Sequence, residues 1–224
     1  MEKSELKRIF KDTVPIMIGY LVLGFGFGVI MATKGYNFWL APIMSIFIYA
    51  GSMQYAAVGL FTGGAGMLTV ALSTLAINAR HLFYGISMID KYSDAGKKKP
   101  YLIFGLTDET YSIVSHTDED VDYCFFVTLF NQVYWVMGTL IGSIIGNMVS
   151  FDARGLDFSL TAFFLVVFTD QWLKSEKHLP AIIGVGTAVI CLLIYGGDKF
   201  LIPTMIEIAL LLYLLERREE RKNG

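Results

Sequence analysis

The chain has 224 residues, 54% of them hydrophobic and 17% charged, with a mean hydropathy of +0.55. Soluble domains carry about 25% charged residues, so this composition describes an integral membrane protein. A formal net charge of −2, with no basic stripe outside short loops, excludes a nucleic-acid-binding surface, and the two cysteines, Cys124 and Cys191, both in apolar runs, give neither a disulfide framework nor a zinc spacing.

Residues 1–11 are too charged to form the apolar core of a signal peptide. The run that follows lacks a small-residue cleavage site, so it is expected to be retained as a span. Five prolines (Pro15, Pro42, Pro100, Pro180 and Pro203) stand at or near the starts of apolar runs, where a missing N–H costs least. The first span, residues 14–33, carries Gly24-Phe25-Gly26-Phe27-Gly28. With no strand before them, these glycines indicate close helix contact or local unwinding rather than a nucleotide loop. The second segment, 38–61, is interrupted by Ala50-Gly51-Ser52-Met53-Gln54-Tyr55. It reads as a broken helix lining a cavity, or as a continuous helix with a hydrogen-bonding glutamine.

The third span, 67–89, has the length to cross a hydrocarbon core and centres on Asn78, with Arg80 and His81 beside it. Thr74, Asn78, His81 and Gly85 share one narrow helical face; Tyr84 borders it, and Arg80 lies about a quarter turn to the other side. Ionisable groups at that depth face a cavity or a partner. The stripe is therefore a polar pathway or a helix-packing cluster.

A lysine-bearing loop (Lys91, Lys97, Lys98, Lys99) leads to residues 101–116, which begin apolar and turn to Thr107-Asp108-Glu109-Thr110-Tyr111-Ser112. Such a stretch cannot line lipid; it is expected to be a half-helix or re-entrant piece, or else a surface amphipathic helix. The fourth span, 123–149, repeats Gly138, Gly142 and Gly146 at every fourth residue, a stripe suited to a tightly packed neighbour, and holds Asn131, Gln132 and Tyr134. Spans at 158–172, 180–195 and 200–215 complete an all-α, polytopic membrane bundle, read as a single transmembrane domain over 1–224. Glu207 is a further acid within the last span.

Basic segments favour the cytoplasm. Lys3, Lys7, Arg8 and Lys11 place the N-terminus inside, and Arg217, Arg218, Arg221 and Lys222 place the C-terminus there. The Lys91–Lys99 loop is also inside if 38–61 enters and leaves on the outer side and 101–116 does so from the inner side. Two broken segments entering from opposite faces would form an inverted repeat, though no residue-level identity links the halves. Asp108 and Glu109, adjacent acids in a mostly apolar stretch, need a counter-charge, and Arg80 is expected to supply it. His81, Asp108 and Glu109 are candidate proton carriers.

Gly51-Ser52-Met53-Gln54-Tyr55-Ala56-Ala57, Asn78-Ala79-Arg80-His81-Leu82-Phe83-Tyr84-Gly85 and Leu106-Thr107-Asp108-Glu109-Thr110-Tyr111 together resemble the AzlC family of bacterial branched-chain amino-acid permeases. The resemblance runs in order through most of the chain; many relatives have Ala where this chain has Met53, and the last two spans match only in hydropathy. It implies export of valine, isoleucine or leucine across the bacterial inner membrane, with a small membrane subunit of the AzlD type and no cofactor. An amino acid presents a carboxylate for Arg80 or a half-helix N-terminus, and an ammonium for Asp108 or Glu109 with carbonyls freed near Gly51. Gly51, Ser52, Gln54, Tyr55, Asn78, Arg80, Tyr84, Asp108 and Glu109 form the candidate substrate site. A passive channel and a membrane-embedded hydrolase are the competing readings. No His-Glu-x-x-His signature or Ser/Cys nucleophile motif supports the hydrolase.

Overall fold

The computed structural model describes residues 3–149, 165, 168–169, 172–173, 175, 178–196 and 200–223. The described residues are all helix and loop. The chain divides into two compact units, 1–161 and 162–224. The first holds α1 (Lys3–Thr33), α2 (Leu40–Phe47), α3 (Gly51–Thr62), α4 (Met67–Ser87), a 3₁₀ turn (Gly96–Lys98), α5 (Lys99–Phe104), α6 (Asp108–Val114) and α7 (Val121–Met148); the second holds α8 (Leu179–Tyr195) and α9 (Leu201–Asn223). The span expected at 158–172 lies outside the described residues apart from isolated positions.

Among the described residues, α1 and α7 are long and apolar enough to cross a membrane. α4 has a comparable reach at 21 residues, about 31 Å. Its Thr, Asn, Arg and His residues make it less apolar. α1 begins well before the apolar run and passes straight through Pro15, which stands inside the helix rather than at its start. The charged first turns extend a helix whose apolar part is anchored further on.

α1 and α7 form the spine of the first unit, and glycine sets their separation. A Cβ built on Gly142 would lie 2.0 Å from the Phe25 carbonyl oxygen, and one on Gly28 would lie 2.3 Å from that of Thr139. Gly24 and Gly138 make similar approaches, at 2.7 Å to the Trp135 and Leu21 carbonyl oxygens. Backbone meets backbone with no side chain between, the arrangement small-residue stripes allow where lipid removes the hydrophobic drive for helix association. The glycine stripe of α7 is thus used within the chain.

Two stretches break against this spine. α2 ends when the Ile48 and Tyr49 amides both bond the Met44 carbonyl. Tyr49 then adopts φ +45°, and α3 starts at Gly51. The break falls at 48–50, just ahead of the Gly-Ser-x-Gln stretch expected to carry it. A left-handed tyrosine costs about 1–2 kcal/mol, and burial against the Phe104 ring, 6.2 Å between centroids, holds it in place. Residues 101–116 are two short helices rather than one half-helix. α5 starts at Lys99–Pro100 and stops at Gly105; the Thr107 hydroxyl then caps α6 by accepting the Thr110 amide. A Cβ on Gly105 would lie 2.2 Å from Thr128 Cγ2, so only glycine lets the turn sit against α7.

One apolar cluster joins α1, α2, α3 and α7 around Phe27, Met44, Met53 and Trp135. A second joins the start of α1, the loop after α4, α5, α6 and the start of α7 around Ile9, Tyr92, Leu102 and Val127. At that end Arg8 pairs with Glu119 at 2.7 Å and Lys98 with Asp122 at 2.6 Å. Lys91 donates to the carbonyls of Val114 (2.6 Å) and Thr117, closing the C-terminus of α6. In the second unit the buried Cys191 thiol donates to Glu207 Oε2 at 3.2 Å, tying α8 to α9.

Candidate functional site

α4 meets the broken helices through a polar stripe. Arg80, Tyr84 and Ser87, spaced by four and three residues, lie on one helical face and meet Asp108 and Tyr111 of α6, so Arg80 is on the same side of the Asn78–His81 stripe as Tyr84 and not across it as expected. Arg80 Nη1 is 2.9 Å from Asp108 Oδ2. The Tyr84 and Tyr111 rings stack at 4.4 Å, and the Ser87 hydroxyl donates to Tyr111 Oη at 3.1 Å. The other guanidinium arm, Nη2, donates to Ser52 Oγ at 3.0 Å. Arg80 therefore bridges the starts of two half-helices, since Ser52 is the second residue of α3 and Asp108 the first of α6.

The cluster is open and incompletely paired. Arg80 and Asp108 are each about a third exposed (30% and 32%). Arg80 Nε and Asp108 Oδ1 are shielded from solvent without a hydrogen-bond partner, as is Asn78 Oδ1 on another face of α4. The first helical amide bond of α3 runs from Gln54 to Ala50, which leaves the Gly51, Ser52 and Met53 N–H groups directed out of its positive end. One guanidinium edge, a row of amides and a free carboxylate oxygen thus lie close together. This arrangement suits a zwitterion better than a simple anion or cation.

A second polar group lies behind the first and is more deeply buried. The Tyr20 hydroxyl donates to Glu109 Oε2 at 2.6 Å and is 2.7 Å from Thr107 Oγ1. Thr107 donates to Thr110 Oγ1 at 3.1 Å, and Asn131 Nδ2 donates to the same oxygen at 3.0 Å. The Tyr49 hydroxyl lies beside those of Tyr20 and Thr107. Asn131 Oδ1 is unpartnered.

Of the residues expected at the site, Ser52, Arg80 and Asp108 meet directly. Tyr84 lines the same face, and Glu109 belongs to the deeper group. His81 contacts the Tyr84 ring edge and places Nδ1 3.2 Å from the Asn78 carbonyl oxygen. Three others are engaged elsewhere. A Cβ on Gly51 would lie 3.1 Å from the Trp135 ring, so that glycine makes room for the indole. Gln54, fully buried, accepts from Trp135 Nε1 at 3.0 Å and donates to Ser45 Oγ at 3.1 Å. Tyr55 donates to the Leu23 carbonyl at 2.6 Å and packs on Phe27. Tyr20 and Tyr49 were not legible as polar groups of interest: a tyrosine in an apolar run carries no sign of where its hydroxyl points. Among the described residues no three His, Cys, Asp or Glu side chains come together as a transition-metal site requires.

A family model described as AzlC protein matches residues 15–149. The chain is 45% identical to the branched-chain amino acid transport protein AzlC of Bacillus subtilis (strain 168), covering 97% of this chain and 88% of that protein. It is 41% identical to an uncharacterized membrane protein of Haemophilus influenzae, covering 96% and 91%, and 36% identical to one of Helicobacter pylori (strain J99), covering 96% of each. No solved structure matches the chain.

Proposed function

We propose that this chain, which belongs to the AzlC family, carries branched-chain amino acids out of the cell through the bacterial cytoplasmic membrane, working with a small AzlD-like membrane subunit. The transport role and substrate class rest on the Bacillus subtilis relative, 45% identical over nearly the whole chain. The observation that carries the mechanism is the Arg80 guanidinium held between Ser52 and Asp108 at the starts of two half-helices. Paired discontinuous helices whose positive ends point at an anionic group are how many transporters hold substrate at mid-membrane.

In this reading the substrate carboxylate takes Arg80 Nε and the amides of Gly51 to Met53, while the ammonium takes Asp108 Oδ1. The Tyr84–Tyr111 stack offers an apolar wall to the branched side chain. Gln54 and Tyr55 act from behind by fixing α3 against α7 and α1. Both termini lie in the cytoplasm, with the Lys91–Lys99 loop on the same side. Export is driven by a cation gradient, protons in the first instance. His81, Asp108 and Glu109 are the candidate carriers.

In cells lacking their own exporters, expression of the chain with its small subunit lowers internal valine, and Arg80→Ala abolishes the difference at equal membrane abundance. Unchanged export in Arg80→Ala would remove the guanidinium from the mechanism. Equal valine with and without the wild-type chain would remove the export role.

A further inference from the structure

We propose that Gln132 is a positioning residue for the Arg80 site: its amide ties the end of α2 to the start of α5, so that the two broken segments hold their positive ends at a fixed separation. The inference rests on the proposed function for what the site carries, and the tie itself is tested without substrate.

Just over one turn of α7 holds all four half-helices. Asn131 Nδ2 donates to Thr110 of α6 at 3.0 Å, and Trp135 Nε1 donates to Gln54 of α3 at 3.0 Å. Between them, Gln132 Nε2 donates to the Ile46 carbonyl of α2 at 3.1 Å, and Tyr101 Oη of α5 donates to Gln132 Oε1 at 2.7 Å. One amide thus spends its two ends on the two broken segments. The Ile46 carbonyl is among the last four of α2, which a helix cannot satisfy by itself. The break sends the nearest amides, those of Ile48 and Tyr49, to Met44 instead. A carbonyl left unmet is most costly where water is scarce, so the side chain that meets it fixes the helix end. The two breaks also touch: the Tyr49 ring lies 6.2 Å from that of Phe104, the last residue of α5.

The tie reaches the site through short lengths of chain. Ser52 lies six residues beyond Ile46 and Asp108 seven beyond Tyr101, each with one break between. α7 itself cannot yield to compensate, because backbone meets backbone along its seam with α1 at Gly138 and Gly142. Slack at Gln132 is therefore felt as a change in the spacing of Ser52 and Asp108, the gap that a carboxylate and an ammonium on one carbon must span. Displacements of about 1 Å in positioned groups are enough to matter. Gln132 and Tyr101 are partly exposed, whereas Gln54, Thr110, Asn131 and Trp135 are buried. Removing the Gln132 tie leaves those buried holds in place, so the fold survives its loss.

Hydrogen exchange on the full-length protein in detergent, without amino acid, reads the tie. Gln132→Met keeps the side-chain length and removes both bonds. The amides of Ile48 and Tyr49 and those of Gly105 to Thr107 then exchange about tenfold faster together, with the α1–α7 seam unchanged. Tyr101→Phe removes one bond, keeps the ring packing on Phe125, and gives a smaller change at the same two places. In valine export with the small subunit, at equal membrane abundance, Gln132→Met raises the half-saturating concentration about five- to tenfold and leaves the maximal rate within about twofold. Loss of folded carrier would instead lower the maximal rate at unchanged half-saturation. Quickening at one break alone, or at neither, in Gln132→Met overturns the tie. An unchanged half-saturating concentration overturns its role at the site. No valine export by the wild-type chain overturns the proposed substrate, and the exchange result alone then decides the tie.

Discussion

The most demanding single substitution is Gly142→Ala. A methyl group there would sit 2.0 Å from the Phe25 carbonyl oxygen and 2.7 Å from its carbonyl carbon, while real Cβ contacts stay beyond 3.0 Å and are ordinary from 3.4 Å. The obstruction is backbone on a packed helix, so α1 and α7 must part by about 1 to 1.4 Å, the difference between those limits and 2.0 Å. Several tens of atom pairs along the seam, each worth about 0.1–0.2 kcal/mol, would lose up to half of their attraction at such a gap, about 2–4 kcal/mol together. Alanine's better helix propensity returns about 1 kcal/mol. The net loss of about 1–3 kcal/mol lowers the unfolding midpoint by about 3–10 °C. Gly59→Ala is the control: nothing lies within 4 Å of a Cβ at that position of α3, so the propensity gain stands alone and the midpoint holds or rises. Thermal scans of the two variants beside wild type decide the matter. Equal midpoints for the two would refute backbone contact as the basis of the α1–α7 seam.

Three further outcomes follow from the site. Arg80→Ala and Asp108→Ala each strand a charge, and the double variant strands none, so their unfolding free energies fall short of additivity by about 1–3 kcal/mol, between exposed and buried pairs; additivity within about 0.5 kcal/mol would reject the pairing. Thr107→Val removes the α6 cap and a partner of Tyr20 and costs about 1–2 kcal/mol in thermal unfolding, whereas Thr107→Ser keeps most of it. Lys91→Met uncaps the other end of α6, so hydrogen exchange quickens at residues 115–120 while the α1–α7 seam is unchanged. Uniform quickening throughout the unit would contradict a local role for Lys91.

The membrane class, the interrupted stretches and the Arg80–Asp108 pairing were all legible before any coordinates. Each follows from a cost that lipid makes large: an unpaired charge, an unsatisfied backbone, a glycine with no reason to be in a helix. What stayed hidden depends on direction. Gln54 and Tyr55 sit in the same conspicuous motif as Ser52, but successive helical residues turn by about 100°. Gln54 and Tyr55 point into the α7 and α1 contacts, and Ser52 points to Arg80. The break itself was misplaced by a few residues because glycine looked the natural hinge. The left-handed residue is Tyr49, held by tertiary packing that no local pattern encodes. Pro15 misled in the opposite sense, as a helix with enough anchored turns on both sides tolerates a proline within it.

A seam in which two main chains touch works like a keyed shaft. Sliding one helix along the other by a residue would drive a side chain such as Phe25 or Thr139 into the slot that Gly142 or Gly28 keeps empty. Rotation meets the same obstacle, so α1 and α7 keep their register. Any shape change that opens a path must then be taken up by parts hung on looser joints, at Tyr49 and at Gly105, and by α4, in which only Ser73 is buried among the described residues. Spin labels or cysteine pairs across the seam should report one constant distance while labels on α4 do not.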